Sequence, residues 1–173
     1  MKIVIRQEQR KDLGPIYSAV KSAFEKVEHS DGDEQNLVNR LRSSEAFIPE
    51  LSLVAELGNK IIGHILFTKI KIGENVSLAL APVSVVPEYQ GRGVGSKLVS
   101  KGHEIAKSLG FGSVVVLGHP AYYPRFGYVS ASKWDVKAPF EVPDDCFMAL
   151  ELVEDGLKNV RGVVQYPNTF FER

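Results

Sequence analysis

A glycine-rich loop at residues 90–95 has the composition and spacing of a phosphate-binding site. It follows an apolar run, residues 78–86, and precedes a segment with helical periodicity, so it connects a strand to the start of a helix. The first N–H groups of a helix have no partner within the helix and lie at the positive end of its dipole. The loop therefore predicts a phosphate site built from backbone amides.

The spacing of this loop argues against two common nucleotide sites. No Lys-Ser or Lys-Thr pair follows the glycines, as a triphosphate-binding loop requires. Dinucleotide folds place an acidic residue about 20 positions further on to bind a ribose, whereas Glu104 lies within the predicted helix. The pattern Gln-x-x-Gly-x-Gly suits a pyrophosphate that is bound without a metal ion.

A second group of candidate residues follows the next apolar run, residues 114–117. His119 stands at the end of that run, where a neutral imidazole could accept a proton. A histidine before a proline is also a common structural hydrogen-bonding residue, so both interpretations stay open. Tyr122 and Tyr123 lie in a short predicted helix, and a phenol there could donate a proton.

The elements that position these residues can be read from hydrophobic spacing. Two amphipathic helices follow a first short strand, and an antiparallel meander precedes the glycine-rich loop. The predicted strands are residues 3–5, 51–57, 60–72, 76–86, 114–117, 146–152 and 162–166. Pro82 cannot donate a hydrogen bond to a neighbouring strand, so we expect a bulge or a splay at that point.

These elements predict a single α/β domain over residues 1–173, with a core at about 3–152 and a C-terminal extension at 153–173. The sheet is expected to be mixed and mostly antiparallel, with flanking helices. The strand before the glycine-rich loop and residues 114–117 form a parallel pair around the intervening helix. We expect these two strands to splay apart in a V near Val86 and Leu117.

Composition limits the classes of partner. The 21 Lys and Arg residues balance the 21 Asp and Glu residues, so we expect neither nucleic-acid nor membrane binding. The first ten residues lack the apolar region of a signal peptide. The single cysteine, Cys146, fits a reducing compartment and is predicted to pack in the core. We therefore expect a cytoplasmic location.

Two motifs resemble a known enzyme family. Residues 83–95 resemble the acetyl-coenzyme A signature of the GCN5-related N-acetyltransferase (GNAT) superfamily, and residues 123–128 are similar to its Tyr-x-x-x-Gly-aromatic motif. The order of elements agrees over most of the chain. Gly118, His119 and Pro120, followed by two tyrosines, resemble a branch of predicted bacterial acetyltransferases. Many relatives have an asparagine in place of these three residues, so a cofactor contact from asparagine is not expected here.

The resemblance implies a set of cofactor-binding residues. The backbone of residues 91–96 would hold the pyrophosphate of acetyl-CoA, and residues 83–85 would pair with the amides of the pantetheine arm. The N–H of Val85 would be directed at the thioester carbonyl oxygen. The implied set is Val83, Ser84, Val85, Gln90, Gly91, Arg92, Gly93, Val94, Gly95 and Ser96.

The reaction that the resemblance implies needs proton-transfer groups, and several residues are candidates for them. Tyr123 is the candidate general acid, which would protonate the departing thiolate, with Tyr122 as the alternative. His119 is the candidate general base, beside a water path through Ser84 or a carboxylate such as Glu34. Arg125 would neutralise a phosphate, pair with a carboxylate or lie exposed in solvent.

The implied function is transfer of an acetyl group from acetyl-CoA to an amine by direct attack on the thioester. The acceptor would be a small molecule or a peptide, and a homodimer is compatible with the resemblance. No metal is expected, since His29, His64 and His103 lack metal-ligand spacing. Two alternatives remain: a non-catalytic acyl-CoA sensor or regulatory module, and a mononucleotide-binding protein.

Overall fold

A nine-stranded sheet forms the frame of the computed structural model, which describes residues 2–28 and 30–172. Apart from the two-residue strands at 129–130 and 136–137, its strands and α-helices occur at or near the positions that hydrophobic spacing predicts. In chain order they are β1 (Ile3–Gln7), α1 (Leu13–Phe24), α2 (Glu34–Arg42), β2 (Phe47–Leu57), β3 (Lys60–Ile72), β4 (Asn75–Val85), α3 (Val94–Ser108), β5 (Ser113–Leu117), β6 (Val129–Ser130), β7 (Val136–Lys137), β8 (Phe147–Glu151) and β9 (Gly162–Gln165).

The strands run in the spatial order β1-β2-β3-β4-β5-β8-β6, and β9 pairs with both β3 and β7. All pairs are antiparallel except β4 with β5 and β7 with β9. This arrangement confirms the predicted mixed, mostly antiparallel sheet with flanking helices. In the described part of the chain, no helix combines the length and apolar character needed to cross a membrane.

The parallel strands β4 and β5 separate soon after they meet. They pair only where Leu78 faces Val114 and Ala79 faces Val115, although both strands continue beyond this point. The pairing register of β4 with β3 before Pro82 differs by one residue from the register after it. This single shift confirms the expected irregularity at Pro82. The two strands therefore leave an opening between their carboxyl ends.

The two faces of the sheet carry different helices. On one face α3 lies so close to β3 that a Cβ atom at Gly102 would overlap the ring of Phe67. Gly63 faces the same helix, because a Cβ there would lie 3.1 Å from the Leu98 side chain. His64, the next residue, therefore points to the opposite face. On that face α1 and α2 pack together, and Arg42 at the end of α2 reaches Glu8.

The C-terminal segment completes the sheet. Val164 of β9 is buried and pairs with Ile72 of β3, so the predicted extension at 153–173 adds a strand to the frame. The prediction for Cys146 was wrong: this residue is only partly buried and ends a 3₁₀ turn before β8. The side chains that enter the core at this point are those of Phe147, Met148 and Ala149.

Candidate active site

A cavity of about 420 Å³ lies between the end of β4 and the start of α3. Tyr122 and Arg125 line it from the other side, where a 3₁₀ turn at Tyr123–Phe126 ends at Gly127. The lining residues are Val83, Val85, Tyr89, Gln90, Gly91, Gly93, Val94, Gly95, Ser96, Tyr122 and Arg125. The structure thus brings together all of the predicted cofactor-binding residues except Ser84 and Arg92.

Glycines shape the loop that enters α3. Gly91 and Gly93 have φ angles of 76° and 80°, a left-handed conformation that other residues rarely adopt. Gly93 precedes the first residue of α3 and offers no side chain to cap the helix. The first donor of the helix ladder is Lys97, whose N–H binds the carbonyl oxygen of Gly93 at 3.1 Å. The N–H groups of residues 94–96 therefore have no partner within the helix.

Gly95 permits a close approach between α3 and the tyrosine turn. A Cβ atom at this position would lie 2.8 Å from the hydroxyl oxygen of Tyr122 and would force one of the two to move. The Tyr122 hydroxyl therefore lies beside the free amides of the helix start. A larger residue here would widen the cavity and separate its two walls.

The peptide groups of β4 alternate between β3 and the cavity. The N–H of Val86, just after β4, donates to the carbonyl oxygen of Ile62 at 2.9 Å. Because backbone groups alternate along an antiparallel strand, the N–H groups of Val83 and Val85 point away from β3. Since β5 pairs only with an earlier part of β4, these two amides face the opening between the strands.

Gln90 fixes the end of β4. Its side-chain amide donates to the carbonyl oxygen of Val85 at 2.9 Å, so this glutamine supports the strand that carries the free amides. The two predicted residues outside the cavity have other surroundings. Ser84 is 2 % exposed and points to the face opposite α3, whereas Arg92 is exposed and lies 5.6 Å from the ring centre of Tyr89.

The adjacent tyrosines occupy different environments. Tyr122 lines the cavity, while Tyr123 is 8 % exposed, packs on Gly118 and contacts the rings of Tyr122 and Tyr128 edge-on. Burial, and to a smaller degree the neighbouring Tyr122, raise the pKa of Tyr123 well above its usual value. No hydrogen bond joins either hydroxyl to the described residues. The assignment of the general acid to Tyr123 stays a prediction.

Tyr89 and Arg125 add an aromatic and a cationic wall to the cavity. The Arg125 guanidinium lies 4.6 Å from the ring centre of Tyr122, and its Nε donates to the Tyr122 carbonyl oxygen at 3.0 Å. An exposed arginine held in this way can contact both solvent and a bound anion, so it fits the phosphate and the solvent interpretations, and no carboxylate among the described residues forms an ion pair with it. Sequence reasoning gave Tyr89 no role, although it lies within the signature motif.

The predicted base candidates lie outside this cavity. His119 is exposed, and its Nδ1 accepts a hydrogen bond from the N–H of Ala121 at 3.1 Å. Glu34 accepts a hydrogen bond from the Ser30 hydroxyl at 2.7 Å and lines a separate cavity of about 390 Å³ near the C-terminus. His119 and Glu34 stay predictions as catalytic bases.

The remaining histidines have structural surroundings or lie outside the description. His103 binds the Tyr128 hydroxyl at 2.8 Å, and burial lowers its pKa to about 4. His64 belongs to a buried polar group near Glu8. His29 lies outside the described residues. Within residues 2–28 and 30–172, no three His, Cys, Asp or Glu side chains are placed to hold a metal ion.

Two proteins of Escherichia coli are similar in sequence to much of this chain. The chain is 39% identical over 127 residues to the uncharacterized N-acetyltransferase YjhQ of Escherichia coli, covering 69% of this chain and 70% of that protein. It is 32% identical over 171 residues to the uncharacterized N-acetyltransferase YhbS of the same species, covering 97% and 98%.

Solved structures share the whole fold. The crystal structure of Escherichia coli YhbS in complex with CoA superposes with a TM-score of 0.91 at 28% identity, covering 99% of this chain and 93% of that one. A GNAT family acetyltransferase from Brucella melitensis in complex with acetyl-CoA gives a TM-score of 0.81 at 32% identity, covering 98% of each chain. The model of the acetyltransferase (GNAT) family matches residues 14–128, and the chain therefore belongs to this family.

Proposed function

We propose that this chain transfers an acetyl group from acetyl-CoA to the amine of a small-molecule or peptide acceptor. The main support is the line of free backbone amides along the cavity, from Val83 and Val85 of β4 to the first turn of α3. The complexes of the similar E. coli and Brucella proteins with CoA and acetyl-CoA support the same ligand here.

The proposed ligand fits the cavity by charge and by hydrogen-bonding pattern. The N–H groups of residues 94–96 would bind the diphosphate, and the Arg125 guanidinium would add a positive charge at the same wall. Val83 and Val85 would pair with the amides of the pantetheine arm, which then acts as an added strand at the opening between β4 and β5.

The main chain would also assist the reaction. Negative charge develops on the thioester carbonyl oxygen when the amine nitrogen attacks its carbon, and a fixed N–H stabilises this charge. We assign this contact to Val85, whose strand end is anchored by Gln90. An activated thioester needs little more than orientation, this contact and proton transfer.

Two protons move in the proposed reaction. As the carbon–sulfur bond breaks, sulfur leaves as a thiolate and takes a proton from the Tyr123 phenol, while the attacking nitrogen loses one. Burial raises the pKa of Tyr123, so the phenol keeps its proton at neutral pH. The same shift makes it a weaker acid, so the proton would move only as the carbon–sulfur bond breaks. Tyr122, which lines the cavity, is the alternative donor.

The test combines a binding and a turnover measurement on the full chain. Calorimetry with CoA and with ATP should give preferential CoA binding, and a panel of primary amines with acetyl-CoA should release free thiol with at least one amine. Preferential ATP binding would contradict the proposal and favour a nucleotide-binding protein. Tight CoA binding without thiol release from any amine would favour a non-catalytic acyl-CoA sensor.

A further inference from the structure

A polar chain is buried on the sheet face opposite α3. The Glu8 carboxylate accepts two hydrogen bonds from the Arg42 guanidinium, at 2.8 and 3.0 Å, and one from the Ser52 hydroxyl. The Ser52 oxygen lies 2.9 Å from Nε2 of His64. Ser52 and His64 are both 0 % exposed. The chain thus runs from a carboxylate through a hydroxyl to an imidazole inside the core.

The hydrogen bonds determine which imidazole nitrogen carries the proton. The Ser52 hydroxyl has one proton, and it donates that proton to Glu8, because an ionised carboxylate can only accept. Ser52 must therefore accept at its other contact, so Nε2 of His64 is protonated. Nδ1 is then an acceptor, and within the described residues no donor reaches this buried atom.

Ser84 of β4 lies directly across from His64. The two residues are register partners on neighbouring antiparallel strands, so their side chains share one face with Cβ atoms about 5 Å apart. The Ser84 hydroxyl is also buried and has no partner among the described residues. Unpaired buried polar groups are costly, and two of them side by side indicate a role that offsets the cost.

Ser84 also connects this chain to the proposed thioester site. It stands between Val83 and Val85, whose amides face the opening between the strands, while its own side chain points away from α3. The cofactor would enter beside the start of α3, so the acceptor amine would approach the thioester from the opposite side through the opening between β4 and β5. Ser84 is thus the hydroxyl of β4 on the acceptor side of the thioester.

We propose that Ser84, His64, Ser52 and Glu8 form a proton relay that serves the acceptor amine, an inference that rests on the acetyl transfer proposed above. When the amine nitrogen bonds to the thioester carbon, its surplus proton passes to the Ser84 oxygen, directly or through one water. The hydroxyl proton of Ser84 moves to Nδ1 of His64 through a second water or after a rotation of the Ser84 side chain, since the two atoms are not in hydrogen-bond contact. The resulting imidazolium is stabilised by Glu8 through Ser52, and it returns the proton to solvent after the product leaves.

The surroundings of His64 support a transient proton carrier. Its charged neighbours are Glu8 and Arg42, and the buried side chains of α1 are apolar. Burial lowers the pKa of His64, with partial compensation by Glu8, so the imidazole is neutral and ready to accept a proton. Ser84 is the catalytic residue of the relay, while His64, Ser52 and Glu8 act through it as positioning residues.

His64→Gln is the sharpest variant, because the glutamine amide can still donate to Ser52 but has no basic lone pair in place of Nδ1. We expect kcat for thiol release, with acetyl-CoA and the most reactive amine of the panel, to fall roughly 100-fold at pH 7. KM for acetyl-CoA should not change. The deficit should shrink as the pH falls through the pKa of His64, because the protonated imidazole of the parent can no longer accept a proton. A loss of equal size at every pH would overturn the relay.

Ser84 and Thr68 provide the matched variants. Ser84→Ala should reproduce the His64→Gln profile, and Ser84→Thr, which keeps the hydroxyl, should recover most of the rate. Thr68 is an equally buried residue of β3 with an unpaired hydroxyl, about 13 Å along the strand from His64. Thr68→Val should leave the pH profile unchanged, and a profile like that of His64→Gln would overturn the relay.

The tautomer of His64 can be measured by NMR without knowledge of the acceptor amine. In the full chain with ¹⁵N-labelled histidine, His64 should show a protonated Nε2 and an unprotonated Nδ1 at neutral pH. The opposite tautomer would overturn the relay, whatever the activity. Transfer with an unchanged pH profile in His64→Gln would overturn the relay alone, whereas a lack of transfer with every amine would overturn the proposed function and the relay together.

Discussion

At the residue scale, the two neighbouring tyrosines beside the cavity, Tyr122 and Tyr123, differ in burial and in their contacts. Tyr122 precedes the 3₁₀ turn and lies against Gly95, whereas Tyr123 begins the turn and packs on Gly118 inside an aromatic cluster. The difference in burial separates a phenol that contacts the ligand cavity from one that is shielded from solvent. Removal of each hydroxyl in turn therefore tests which of the two tyrosines donates the proton to the thiolate.

Tyr123→Phe should lower kcat for thiol release roughly 100-fold, because the thiolate loses its proton donor. Calorimetric affinity for CoA should stay within about twofold of the parent, since the ring that packs in the core is retained. Tyr122→Phe is the matched control and should change kcat much less. A larger kcat loss in Tyr122→Phe than in Tyr123→Phe would transfer the donor role to Tyr122.

Residues of the amide loop could be predicted from sequence, but the buried relay could not. The residue type of Gly91 and Gly93 predicts their backbone conformation, because few other residues adopt a positive φ. Glu8 and His64 lie far apart in the chain, and only the strand register brings them together. The orientation of Tyr123 depends on tertiary packing against Gly118, which leaves no periodic pattern in the sequence.

At the element scale, α3 and β4 form the two walls of the site, and the loop between them sets their spacing. Long elements such as β3 and α3 were predicted well because many residues report the same period. The two-residue strands β6 and β7 were not predicted, since alternation cannot be recognised over so short a span. The contrast reflects how many residues carry the pattern: the long elements that frame the site could be predicted, and the two short strands outside it could not.

Gly93→Ala tests the loop. Alanine at a φ of 80° costs about 1–2 kcal/mol, so the loop should relax and turn its amides away from the diphosphate. We expect CoA to bind roughly tenfold more weakly by calorimetry. Gly58→Ala introduces the same kind of strain at a φ of 62° in the β2–β3 turn, outside the cavity. Equal weakening by both variants would show a general loss of stability and contradict a specific role for the loop.

Gly102→Ala tests the contact between α3 and the sheet. Although alanine favours helix by about 1 kcal/mol, its Cβ would overlap the Phe67 ring. We therefore expect a net loss of about 1–3 kcal/mol in the free energy of unfolding, measured with urea. Gly14 of α1 has open space around its Cβ position, so Gly14→Ala should leave stability unchanged or slightly higher. A Gly102→Ala protein as stable as the parent would contradict the close packing.

At the scale of the whole molecule, one sheet combines a cofactor wall, a buried polar chain and a second apolar core. β9 returns from the C-terminal segment to pair with β3, and a second core forms beneath that end of the sheet. The strands are therefore tied together at one end, while β4 and β5 separate at the other. The opening between β4 and β5 exists because pairing between these two strands stops early, and the rest of the sheet holds both strands in place.

Burial of neutral histidines makes the stability of the whole molecule depend on pH. Burial lowers the pKa of His103 to about 4 from an ordinary value of 6.5 and also lowers that of His64. Below the ordinary histidine pKa of 6.5, and above the lowered pKa of the folded state, the unfolded chain binds protons that the folded chain excludes. The free energy of unfolding therefore falls as the pH falls below 6.5. The shift at His103 corresponds to about 3 kcal/mol between pH 7 and pH 4.

Urea unfolding of the full chain at pH 7.5, 5.5 and 4.5 measures this effect. His103→Gln keeps a group that can hydrogen-bond to Tyr128 but cannot titrate, so it should flatten the dependence. Glu8 affects the free energy of unfolding at a lower pH than the histidines do. Burial alone would raise its pKa, but hydrogen bonds from His64, Arg42 and Ser52 lower it to about 2. Its contribution is present above pH 4.5 and is lost towards pH 2. A parent midpoint that does not change between pH 7.5 and 4.5 would contradict neutral burial of both histidines.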